Sequence, residues 1–314
     1  MNIVLLDAKT LGDDSLDFLA KLGDFTSYQT TKPNEILERV KDADIVLTNK
    51  VVLDKDILER LPKLRLICIT ATGTNNVDLE CAKRLNIAVK NVANYSTTSV
   101  AQHTLMMVLN LSCKQHYYDD FCKSGKWASS GIFTHINSGF ELYDLENKRW
   151  SIIGFGNIGQ RVASLASAFG ADVRYYSTSG KNANDNFKRE ESLEGLLKNS
   201  DIITIHAPLN DATKNLITKR ELSLLKKDAI LINMGRGGIV NENDVASALK
   251  ERDFYYGCDV LEKEPMVENH PFLDKSLQYK LLITPHIAWA YKESRARLLK
   301  GVEENIKTFI ESAK

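Results

Sequence analysis

Residues 150–173, WSIIGFGNIGQRVASLASAFGADV, decide the fold. The stretch opens on an apolar run, turns through Gly154, Gly156 and Gly159 in GxGxxG spacing, and runs on into a segment whose apolar positions recur at helical period. A strand that passes through a glycine turn straight into a helix is the first half of a βαβ unit built around a pyrophosphate. Gly154 permits the tight turn, Gly156 lets the backbone approach the phosphates, and Gly159 lets helix and strand sit close. The helix N-terminus at Asn157 and Ile158 presents N–H groups to negative charge. The glycine spacing alone is a weak signal; the strand before it and the helix after it make it a dinucleotide site.

The next strand of such a unit normally ends near an Asp or Glu that binds the adenosine ribose and repels a 2′-phosphate. Here residues 172–181 read DVRYYSTSGK, with no acid after the strand. Ser177, Thr178 and Lys181 offer hydroxyls and a cation instead, which favours NADP(H) over NAD(H). A serine still hydrogen-bonds a ribose hydroxyl, and no arginine stands at this turn to grip a phosphate, so NAD(H) stays open.

The rest of the chain fits a soluble two-domain protein. It has 314 residues, enough for two cores, and 43% are apolar. Lys plus Arg and Asp plus Glu each total 41, so the net charge is zero and nothing draws the chain to nucleic acid or an anionic membrane. No apolar run is long enough to span a bilayer, and the N-terminus lacks the basic start of a signal peptide. The five cysteines show no CxxC pairing and suit reduced thiols in the cytoplasm. The six histidines are scattered, so no metal site is expected.

Two alternating series of strands and helices are predicted. The first hundred residues give strands at NIVLLD, DIVLTN and LRLICIT with helical patterns between them; residues 96–122 read as one long helix bridging two domains. The second series gives six strands, at WSIIGFG, DVRYYS, DIITIHAP, DAILINMG, FYYGCDV and LLITPHI. Both read as parallel sheets with crossover helices.

Ligands of such sheets bind beyond the carboxyl ends of the strands, and three charged residues fall there: Arg236, Glu264 and His286. Taken singly, each has a bland explanation as a turn arginine, a loop carboxylate or a capping histidine. Together they meet the needs of hydride transfer to a 2-keto acid. An arginine fork grips the carboxylate or carbonyl, a histidine titrating near neutrality protonates the developing alkoxide, and a carboxylate orients that histidine.

The segments ATGTNNVDL, NYSTTSVAQHT, IIGFGNIGQRVA, HAPLNDAT, INMGRGGIVNENDVASAL, DVLEKEP and TPHIAWA, in this order over nearly the whole chain, resemble the D-2-hydroxyacid dehydrogenase family. The resemblance implies a flavodoxin-like substrate domain, residues 1–97 plus 288–314, and an NAD(P)-binding Rossmann domain, residues 98–287, with the active site in the cleft between two doubly wound parallel sheets. It implies a homodimer formed through the long helix. It puts the catalytic roles on Arg236, Glu264 and His286, further cofactor contacts on His206, Pro208, Thr213, Met234 and Asp259, and the substrate carboxylate on the amides of Thr72 and Gly73. HIAWA, SVAQH and the TNK ending in Lys50 look most like glycerate dehydrogenases, also called hydroxypyruvate reductases, with Trp289 as a pocket wall and Lys50 in a substrate loop. The expected substrate is therefore hydroxypyruvate or glyoxylate. D-lactate-type and phosphoglycerate-type dehydrogenases, and a nucleotide-sensing corepressor, are the alternatives.

Overall fold

Strands that are apolar at every position need cover on both faces, and both sheets meet that need with helices. The computed structural model describes residues 1–182 and 184–312; residue 183 and the last two residues of the expected C-terminal tail lie outside the described residues. The chain divides into two compact units, Met1–Ser96 with Trp289–Lys314, and Thr97–Ala288.

The first unit is a five-stranded parallel sheet of β1 (Asn2–Leu5), β2 (Asp24–Ser27), β3 (Ile45–Thr48), β4 (Leu66–Ile69) and β5 (Ala88–Lys90) in the order 2-1-3-4-5, the flavodoxin-like winding. The helices between them are short: α1 (Asp17–Ala20), α2 (Ile36–Val40), α3 (Lys55–Leu58) and α4 (Leu79–Arg84). Asp54 and Asp78 start α3 and α4 by accepting the amide N–H of Ile57 and Cys81. Alternation along the strands sorts the core. Ile3 and Leu5, Ile45 and Leu47, and Leu66 and Cys68 face one side, while Val4, Val46, Ile67 and Ile69 face the other. The first face is closed by the last helix of the chain, through Leu298, Val302 and Ile306 at helical spacing. Each such buried side chain contributes about 1.5–3 kcal/mol.

The second unit begins with α5 (Thr97–Cys113), α6 (Gln115–Lys123) and α7 (Lys126–Ser130). Its sheet holds β6 (Arg149–Ile153), β7 (Asp172–Tyr176), β8 (Lys188–Arg189), β9 (Ile202–Ile205), β10 (Ile230–Asn233), β11 (Tyr255–Cys258) and β12 (Leu281–Ile283). All pairs are parallel, in the order 12-11-10-9-6-7-8, so the winding reverses between β6 and β9. The connecting helices are α8 (Asn157–Ala168), α9 (Leu193–Asn199), α10 (Lys219–Leu222) and α11 (Glu242–Glu251), and α12 (Lys292–Ser312) returns to the first unit. No described helix is long and apolar enough to cross a membrane.

The structure corrects the sequence reading in two places. Three strands were not expected: β2 and β8 expose most of their residues and β5 is only three long, so none leaves an apolar run. The long helix expected over residues 96–122 breaks at Lys114, whose φ of 51° is left-handed. Its buried ammonium turns back to donate to the Leu111 carbonyl at 2.6 Å and sits 3.3 Å from the centre of the Tyr255 ring. A contact with β11 thus ends a helix that local periodicity would have continued.

Candidate active site

The reversal between β6 and β9 opens a crevice at the strand ends, and the glycine turn lies there. Gly154 has φ +89°, and a methyl group on it would stand 2.6 Å from the Ala207 nitrogen and 2.8 Å from the His206 carbonyl carbon. Only glycine fits. A methyl on Gly159 would overlap the Gly154 carbonyl oxygen, so α8 rests directly on the turn. Gly156 is the opposite case, with nothing within 4 Å of where a methyl would sit. The turn is therefore closed behind and open in front, the shape that admits a pyrophosphate to the backbone at the start of α8.

Polar atoms around this turn lack partners. Ser177 Oγ and both ring nitrogens of His206 are buried with no hydrogen bond among the described residues. Burial pushes the His206 imidazole down to about 3, so the ring is neutral. Buried polar atoms left unpaired are costly, and a dinucleotide with its hydroxyls and phosphate oxygens would satisfy them. Met234 is buried and Thr178 half-buried nearby in sequence to these strand ends, and Asn157 and Lys181 are exposed. Thr213 is already committed: its hydroxyl donates to the Pro208 carbonyl at 2.6 Å and accepts the Asn210 N–H at 2.8 Å, which shapes the turn after β9.

Beyond β10, β11 and β12 Glu264 and His286 meet through their side chains, and the Arg236 turn meets the Glu264 loop through backbone. Arg236 stands three residues past β10, its Nη1 donating to the Gly235 carbonyl at 2.8 Å. The buried Asn233 side chain fixes that turn, donating to the Arg236 carbonyl at 2.9 Å and accepting the Gly235 N–H at 3.1 Å. Gly237 then lies so close to the Leu261–Glu262 peptide that a methyl on it would overlap the Leu261 carbonyl. That approach joins the arginine turn to the loop after β11. Glu264 folds back to accept the Leu261 N–H on Oε1 at 3.0 Å, and its Oε2 lies 2.7 Å from His286 Nδ1. Both side chains are partly exposed, 32% and 23%.

His286 sits in left-handed backbone, φ 55°, with its N–H on the Thr284 carbonyl at 3.0 Å. A non-glycine residue there is strained, and Asp259 supplies the restraint. The Asp259 carboxylate, 3% exposed, accepts the Ile287 N–H at 2.9 Å, the Ala288 N–H at 2.8 Å and the Thr284 hydroxyl. Thr284 Oγ1 in turn lies 3.0 Å from His103 Nε2. Asp259 thus clamps the histidine turn, a role its sequence position did not suggest.

Lys50, Thr72, Gly73 and Trp289 belong to the first unit. Trp289 meets Tyr95 edge to face at 6.3 Å. Thr72 donates its hydroxyl to the Val92 carbonyl at 3.0 Å. The Lys50 loop is held by a residue the sequence reading passed over. Asp7, buried just past β1, accepts the N–H groups of Asn49, Lys50 and Val51 at 2.9, 2.7 and 3.2 Å. An acid closing the apolar run NIVLLD was the available signal, the same strand-end rule that found Arg236, Glu264 and His286.

Known proteins resemble this chain over most of its length. Residues 105–288 match the family model described as D-isomer specific 2-hydroxyacid dehydrogenase, NAD binding domain. A hydroxypyruvate reductase of Blautia hydrogenotrophica is 33% identical over 100% of this chain and 98% of its own. A glycerate dehydrogenase of Methylorubrum extorquens is 34% identical over 98% of this chain and 96% of its own. Among solved structures, an acyclic imino acid reductase in complex with NADPH and D-Arg superposes with a TM-score of 0.88 at 28% identity, over 99% of this chain and 98% of that one.

Proposed function

The chain belongs to the D-isomer-specific 2-hydroxyacid dehydrogenase family, and on that premise we propose that it reduces hydroxypyruvate or glyoxylate to the D-2-hydroxy acid, and runs the reverse reaction, with NADP(H) preferred to NAD(H). The observation that carries the reading is the 2.7 Å contact between Glu264 and His286, on a loop joined to the Arg236 turn at Gly237. The glycine turn and the unpaired Ser177 and His206 atoms are the groups that would hold the dinucleotide, with Asn157, Ile158, Thr178, Lys181, Pro208, Thr213, Met234 and Asp259 around it. The bound cofactor supplies or accepts the hydride.

The residues of the chain do the rest. Arg236 holds the keto acid by its carboxylate or carbonyl oxygen, using part of a fork with five N–H donors of which Gly235 engages one. Glu264 fixes the proton on His286 Nδ1, which turns Nε2 outward to protonate the alkoxide oxygen as it forms. In oxidation neutral Nε2 takes that proton back. The amides of Thr72 and Gly73 bind the substrate carboxylate, Trp289 walls a small pocket, and Lys50 lines the substrate loop. NADP(H) preference rests on Ser177, Thr178 and Lys181 standing where an acid would exclude a 2′-phosphate.

The same reading includes a homodimer in the cytoplasm. Trp127, Ile132, Phe133, Ile136 and Leu142 expose apolar surface on one stretch after α6, Phe133 at 93%, and a second copy of the chain is the cover we assign to it. All five cysteines are free, as a reducing compartment keeps them. Light scattering of the purified protein should give twice the chain mass, and Phe133→Asp with Ile136→Asp should give a folded monomer; a monomeric wild type sinks the dimer.

Initial rates of NADPH and NADH oxidation with hydroxypyruvate, glyoxylate, pyruvate and 2-ketobutyrate test the function. Hydroxypyruvate or glyoxylate should be fastest, and faster with NADPH. A higher kcat/KM with NADH overturns the cofactor assignment. Silence on all four acids by a protein that binds either cofactor overturns the substrate class and favours a nucleotide-sensing role.

A further inference from the structure

Glu242, the first residue of α11, pairs with His270 away from the three charged residues, and both side chains are nearly covered, 11% and 6% exposed. His270 Nδ1 accepts the Phe272 N–H at 3.2 Å. An imidazole that accepts at one nitrogen carries its proton on the other, so Nε2 donates to Glu242 Oε2 at 2.8 Å. The second oxygen of Glu242 accepts the Glu262 N–H at 2.6 Å. Leu261, one residue before, donates its N–H to Glu264 Oε1, and Glu264 Oε2 faces His286. The Leu261–Glu262 peptide is thus held by Glu242 on one side and approached by Gly237 on another, and the Leu261 N–H of the adjoining Val260–Leu261 peptide restrains Glu264.

We propose that the Glu242–His270 pair is a positioning device for Glu264: the buried imidazole and carboxylate fix the Leu261–Glu262 peptide, and through it the Leu261 N–H of the adjoining peptide, which aims the Glu264 carboxylate at His286. The inference rests on the reading of Glu264 as the partner of a proton-donating His286. Its chemistry is specific. Glu242 serves two donors with two oxygens, and an amide at this position has only one acceptor to offer. One donor would face an NH2 group, and the loop that carries Glu264 would shift. Displacement of a catalytic group by about 1 Å costs up to roughly 10²-fold in rate.

The test compares Glu242→Gln, His270→Gln, Glu264→Gln and the double variant Glu242→Gln with Glu264→Gln, in the full chain, with hydroxypyruvate and NADPH. Glu242→Gln should lower kcat by about 10-fold or more, leave the hydroxypyruvate KM and the NADPH affinity within about two-fold, and enlarge the solvent deuterium isotope effect on kcat. His270→Gln keeps an N–H to donate to Glu242 and should stay within a few-fold of wild type. Added to Glu264→Gln, the Glu242→Gln change should cost nothing more, because the group it positions is gone. Losses that multiply in the double variant overturn the inference, as does a Glu242→Gln loss that falls equally on NADPH affinity and thermal stability. A damaging Glu264→Gln beside a silent Glu242→Gln overturns this inference alone. A silent Glu264→Gln overturns the reading of Glu264, and this inference with it.

Discussion

The two ends of the seven-stranded sheet both gather charged and polar groups, and they treat them differently. At the amino ends the groups close on one another. Asp201 accepts the Arg149 N–H at 2.9 Å and pairs with Lys226, Tyr143 donates to Asp228 at 3.0 Å, and Lys114 is held by the Leu111 carbonyl and the Tyr255 ring. At the carboxyl ends Ser177 and His206 keep buried polar atoms without partners among the described residues, and Gly156 leaves room in front of the turn. Unmet hydrogen-bonding capacity marks the site; left-handed backbone does not, since Lys114 and Asp228 at the amino ends adopt it as His286 does.

The comparison breaks most visibly at His286. His286→Ala should lower kcat by roughly 10²-fold or more, the scale of a lost general acid, while NADPH affinity stays near wild type. Unchanged turnover would reduce the strained turn to a structural curiosity. Gly237→Ala comes next. A methyl group there must push apart the Arg236 turn and the Leu261–Glu262 peptide, so kcat should fall by about 10-fold, with a rise in KM for the keto acid as Arg236 moves. Wild-type kinetics from a folded Gly237→Ala protein would show that the two loops need not touch.

What was legible in the sequence follows the same division. The glycine fingerprint and the strand-end rule found the turn at Gly154 and the residues Arg236, Glu264 and His286, because both rest on local patterns. Gly237, Glu242 and His270 escaped because their work is contact between loops far apart in the chain. Asp259 was read as a cofactor contact, and its clamp on Ile287 and Ala288 depends on a turn that begins only after the next strand. The missed strands β2 and β8 bear polar, solvent-facing residues that hydropathy cannot separate from loop. The break at Lys114 is the plainest case: nothing within residues 96–122 stops a helix, and the stop comes from Tyr255.

Lys114 gives the smallest expected effect and the sharpest test of the closed end. Burial holds its ammonium down to about 8 from an ordinary value of 10.5, against the opposing pull of Asp228. A base with a depressed folded pKa favours folding most above its unfolded pKa, and that contribution is lost as pH falls through the folded one. Between pH 8 and pH 10 the unfolded chain binds more protons, so wild-type stability should gain on a Lys114→Met variant, which has no ammonium to bury. The gain should be roughly 1 kcal/mol per pH unit, or about 2–4 °C in the Tm difference for a unit of this size. Thermal scans of both proteins at pH 8, 9 and 10 measure it, with no accompanying change in kcat/KM near neutrality. A constant Tm difference across that range would mean that Lys114 stays protonated over the Tyr255 ring, and that the amino end of the sheet holds a cation in its interior as readily as the carboxyl end holds a neutral histidine.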